Sequence, residues 1–83
     1  MKPNEYVQWL LEANQKQLSF ADDSDFGTLD QMSTFGFGLL EEWYEFVEAS
    51  AAEQPKEAGD VLAYYVLLCV SLGFSRAHTA QRL

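Results

Sequence analysis

The stretch Gly38–Gly73, GLLEEWYEFVEASAAEQPKEAGDVLAYYVLLCVSLG, decides the fold. It holds two acidic pairs, Glu42-x-x-Glu45 and Glu57-x-x-Asp60, on either side of a short alanine-rich link. Residues three apart on an α-helix project in directions roughly 60° apart, so each pair sends two carboxylates the same way. A link that reverses the chain makes an αα-hairpin, with two antiparallel helices face to face. Facing positions in such a hairpin have residue numbers with a constant sum. Glu42 with Asp60 and Glu45 with Glu57 both give 102, which centres the turn on Ala51. The spacing therefore predicts four carboxylates meeting at one spot. Left alone they would repel one another and lose hydration. A hard divalent cation that prefers oxygen ligands, Mg²⁺ above all, resolves that conflict.

The surrounding text agrees with a hairpin. Thr28-Leu-Asp-Gln31 fits a capping box and starts the first hairpin helix near Leu29. Phe35, Leu39, Trp43, Phe46 and Val47 form an apolar stripe on it, with Glu42 and Glu45 at its edge and Glu41, Tyr44 and Glu48 turned away. Gly36 and Gly38 each weaken a helix by about 1 kcal/mol relative to Ala, either as a tolerated cost or because a neighbour approaches closely. Pro55 suits the first turn of the second hairpin helix, where the dipole also favours Glu57. Between Glu57 and Arg76 the one carboxylate is Asp60, in a run apolar on all sides, which predicts a central helix ending at Gly73.

Elsewhere, YVQWLLEANQKQL predicts a helix over about residues 5–18 with Asn4 as N-cap. The segment SFADDSDFG, residues 19–27, reads as a solvated loop: Asp22, Asp23 and Asp25 lack the glycine and twelfth-position Glu of a calcium-binding loop. Ser75 is the expected cap of a short last helix through Leu83. The expected architecture is one all-α domain over residues 1–83, a helical hairpin bundle of three to four helices. A chain of 83 residues buries little core alone, so completion by oligomerisation is expected.

Composition limits function. With 48% apolar residues the chain is no disordered tail, and a net charge of −8 argues against a general nucleic-acid surface. Val61–Gly73 is apolar but shorter than the ~20 residues a bilayer needs. The polar residues 1–5 lack a signal-peptide core, and the single cysteine, Cys69, fits a reducing cytoplasm. No disulfide framework, P-loop or Ser-His-Asp order is present, and His78, the one histidine, lies outside both acidic pairs, which disfavours di-iron and zinc sites.

Glu41-Glu42-x-x-Glu45 followed by Glu57-x-x-Asp60 resembles the EExxE…ExxD signature of the MazG-type all-α nucleoside triphosphate pyrophosphohydrolases, and Gly38-Leu-Leu-Glu-Glu and Glu57-Ala-Gly-Asp-Val-Leu are similar to that family's text. The similarity covers about residues 36–73 and is weak over the first helix. It implies a MazG-like dimeric or tetrameric bundle that uses Mg²⁺, with Mn²⁺ as a substitute, to cleave NTPs or dNTPs to the monophosphate and pyrophosphate. It implies Glu42, Glu45, Glu57 and Asp60 as metal ligands, Glu41 and Glu42 as catalytic candidates, and Tyr64 beside the phosphates. Gln8, Trp9 and Lys16 on the first helix are candidate substrate contacts. The link between Glu45 and Glu57 is short for the family, and Arg76 and Arg82 are the cations available beyond the third helix. The competing expectation is a non-catalytic acidic helical interaction module that retains the motif.

Overall fold

A computed structural model describes residues 1–16, 18, 27–74 and 76–83, apart from the side chains of 76 and 77. It is all-helical: α1 Pro3–Ala13, α2 Leu29–Glu48, α3 Gln54–Ser71 and α4 Arg76–Gln81. The expected loop over 19–26 and the Ser75 cap lie outside the described residues.

α2 and α3 form the hairpin. Thr28 is the N-cap of α2, its Oγ1 accepting the Gln31 N–H at 3.1 Å. Helix α2 ends where Ala49 turns extended, and the link closes with the N–H groups of Glu53 and Gln54 donating to Ser50 O at 2.9 and 3.0 Å. Pro55 occupies the first turn of α3 as expected. Gly73, at φ 90°, ends it: the Gly73 N–H donates to Val70 O and the Phe74 N–H to Cys69 O, a Schellman closure of carbonyls that would otherwise lack partners. At the base of the hairpin the Gly27 N–H donates to Ser71 O at 2.8 Å, tying the entry of α2 to the exit of α3.

The core sits at that base. Val7, Leu10 and Leu11 of α1 and Phe35 of α2 enclose Val66, Leu67 and Val70 of α3, with Leu18 and Ala80 packed at the margin. α4 rests on α1 and α3, and among the described residues α2 packs against α3 alone. Only the C-terminal half of α3 is therefore the central helix that its composition predicts. The apolar stripe of α2 is likewise covered at Phe35 and open at Trp43 and Val47, which are 52% and 56% exposed; among the described residues α3 is the one helix packed on α2.

Helix α1 is shorter than its periodicity predicts, and it starts earlier. Pro3 takes the first helical position, so the N-cap falls on Lys2 and not on Asn4, and the Lys2 N–H donates to Glu5 Oε2 at 3.3 Å. At the other end the helix stops at Ala13, and the C-cap Asn14 donates from both its backbone N–H, at 3.1 Å, and its side-chain amide, at 2.9 Å, to Leu10 O.

Candidate acidic site

Glu42 lies mid-way along α2, and Glu57 and Asp60 lie in the first two turns of α3. The hairpin brings one carboxylate oxygen of each within 4.8 Å of the others. All three residues are half-buried, and Glu42 Oε2 and Glu57 Oε2 are shut off from solvent with no hydrogen-bond partner among the described residues. Buried acceptors without donors are costly, so this is where the fold carries an unmet demand for positive charge.

The carboxyl of Glu42 is accordingly pushed above the usual carboxylate range. Desolvation is the first cause, followed by the Glu45 charge, a hydrogen bond shared with the Glu45 carboxyl, and the charges of Asp60 and Glu57. Glu45 is exposed and stands outside the close triad, although it is the strongest neighbouring charge on Glu42. Three of the four expected ligands thus converge, and the fourth flanks them from the solvent side. The i, i+3 spacing that keeps Glu57 and Asp60 together does not bring Glu45 in with Glu42.

The other candidate residues are spread more widely. Glu41 is exposed and lines a shallow depression with Phe37, Leu40, Tyr44 and Glu45, apart from the triad. Tyr64, one turn after Asp60, lays its ring against Gly38 and sits edge-on to Phe35, with centroids 6.4 Å apart. Trp9 is 54% exposed beside Tyr6, Gln8 donates to Glu12 Oε1 at 2.6 Å, and Lys16 is exposed in the turn after α1. α1 packs against α3 and α4 but not α2, joining a cluster at Val66–Val70 roughly 10 Å along the axis from Asp60 at 1.5 Å per residue. Within one chain the hairpin does not bring these three residues to the carboxylates.

A feature the sequence does not reveal is a groove of about 540 Å³ on the same two helices, lined by Leu39, Leu40, Trp43, Ala58, Val61, Leu62 and Tyr65. Its lining contains no carboxylate, so it is distinct from the acidic site. Its signal is present in the all-round apolar character of α3, but that pattern does not say which face stays open. Compared with protein-family models, curated proteins and solved structures, the chain matches none. Among the described residues no helix is long and apolar enough to cross a membrane.

Proposed function

We propose that this chain is a MazG-type nucleoside triphosphate pyrophosphohydrolase, acting with Mg²⁺ on NTPs or dNTPs in nucleotide-pool house-cleaning. The observation that carries the reading is the meeting of Glu42, Glu57 and Asp60 across the hairpin, at the positions where the EExxE…ExxD text places carboxylates. The donor set fits the ion. It is all oxygen, it carries excess negative charge, and two of its buried oxygens lack a donor. Bound there, Mg²⁺ or Mn²⁺ would neutralise phosphate charge and make a water more acidic.

In this reading Glu42, Glu57 and Asp60 hold the ion, and Glu45 stands at the solvent edge to complete the shell or orient a water. Glu41 faces solvent one position before Glu42 and is the candidate base from the signature. Hydrolysis at the α phosphorus leaves a monophosphate and pyrophosphate. The open groove supports the second half of the reading, assembly as a homodimer or homotetramer. Leu40, Trp43 and Leu62 are 59%, 52% and 38% exposed there, an apolar surface that a second copy would cover. A partner's α1 would then be the source of contacts from Trp9, Gln8 and Lys16.

The test is pyrophosphate release from a panel of dNTPs and NTPs with Mg²⁺, comparing wild type with Glu42→Gln and Asp60→Asn. Release that needs both carboxylates supports the enzyme. The groove also favours a second reading, a non-catalytic helical module that binds through its apolar face. Mg²⁺ binding with no release from any nucleotide would select it.

A further inference from the structure

We propose that Gly38 and Tyr64 form the spacer that sets how closely the carboxylates of α2 approach those of α3, a positioning role that rests on the metal reading above. The two residues share the register of the acidic site, since their numbers also sum to 102. Gly38 lies one turn before Glu42, and Tyr64 one turn after Asp60. The side chain missing at position 38 is what admits the tyrosine. A Cβ there would meet Tyr64 Cε1 and would stand 2.7 Å from Cδ1 and 3.1 Å from Cζ.

These are ring atoms, and one edge of the ring rests on Phe35, which is 4% exposed and belongs to the core. A methyl group at position 38 therefore pushes the helices apart one turn from oxygens that now lie within 4.8 Å of each other. Gly36 provides the internal contrast: among the described residues nothing lies within 4 Å of a Cβ built there. Of the two helix-weakening glycines, only Gly38 is required by the packing. Tyr64 accordingly acts through its ring on the spacing of the site.

The experiment measures Mn²⁺ affinity, by the paramagnetic resonance signal of the free ion, for wild type, Gly36→Ala, Gly38→Ala and the double variant Gly38→Ala/Tyr64→Ala. The distance between nitroxide labels placed at Glu48 and Lys56, in a Cys69→Ser background diluted with unlabelled chain, is measured alongside. Wild type and Gly36→Ala are expected to bind alike. Gly38→Ala is expected to keep its helicity, lengthen the label distance and bind about tenfold more weakly or worse, and the double variant to recover to within about threefold. Unchanged affinity or unchanged label distance in Gly38→Ala overturns the spacer. Should Gly38→Ala fail to fold, the double variant decides: a folded protein with near wild-type affinity supports the proposal, and one that is unfolded or does not bind overturns it. Absence of Mn²⁺ binding by wild type sinks the metal reading instead, and the label distances alone then judge the spacer.

Discussion

Val66, Leu67 and Val70 at one end of α3 are enclosed, whereas Val61, Leu62 and Tyr65 at the other end line an open groove. The residue types are nearly the same, and the surroundings differ. At the base α1, α2 and α4 close around the helix, so each apolar side chain leaves water. Toward the turn, among the described residues, α3 meets α2 alone, with an acidic seam on one side and an apolar groove on another. The base supplies the stability, and the turn-proximal half holds buried carboxylate oxygens without a hydrogen-bond partner among the described residues, together with exposed apolar surface. A small domain can carry such a burden only where a separate region keeps it folded.

The comparison is broken most directly by truncating a leucine in each half. Leu67→Ala, at a site 5% exposed, is expected to cost about 2–5 kcal/mol, seen as a lower midpoint in urea unfolding. Leu62→Ala, at 38% exposure, is expected to cost below about 1 kcal/mol in dilute, monomeric protein. A Leu62 cost that climbs with protein concentration would place the groove inside an assembly. Equal costs for the two leucines at all concentrations would deny the division between the halves.

A second test addresses the join between base and loop. Gly73 at φ 90° is in a region that L side chains rarely adopt, so Gly73→Ala is expected to cost about 1–2 kcal/mol, again read from denaturant midpoints. Mg²⁺ addresses the other half. Saturating ion at a hundredfold excess over Kd is expected to raise wild-type stability by about 2.7 kcal/mol if it binds only the folded chain, and to leave Asp60→Asn unmoved. A melt that ignores Mg²⁺ in both proteins would leave the acidic triad without an ion.

Much of this was legible in the sequence because it depends on spacing. The hairpin, its turn and the meeting of Glu42 with Asp60 follow from two i, i+3 pairs and a link of fixed length. The Thr28 cap and the Gly73 stop follow from residues whose side chains, or lack of one, suit those positions. What escaped depends on side-chain choices that spacing does not fix. Asn14 can face solvent or bond its own helix, and here it caps α1 by bonding Leu10 O. Glu45 stands outside the triad, although the same i, i+3 spacing keeps Glu57 and Asp60 together. The stripe on α2 reads as core along its length, but only the tertiary arrangement says that, among the described residues, no helix other than α3 packs on α2 and Trp43 stays open.

The smallest expected effect tests whether the acidic seam is a cost to the fold. Burial and neighbouring acids raise the folded-state pKa of Glu42 above its ordinary 4.5. Between the unfolded and folded values the native chain binds more protons than the unfolded one, so metal-free stability falls as pH rises through that window. The penalty is absent below the ordinary carboxylate value and fully present above the folded one. Thermal melts in chelator are therefore expected to shift upward as pH drops through the raised folded-state value toward the ordinary carboxylate value, by less than about 1 kcal/mol because the group is only partly withdrawn from water. Glu42→Gln removes the titrating proton, so it should flatten this slope and melt higher than wild type at pH 7. Adding Mg²⁺ should invert the slope, since the ion competes with protons for the same oxygens. If Glu42→Gln leaves the metal-free slope unchanged, the crowding of carboxylates is relieved by water, and the turn-proximal half of the hairpin carries no electrostatic strain for an ion to release.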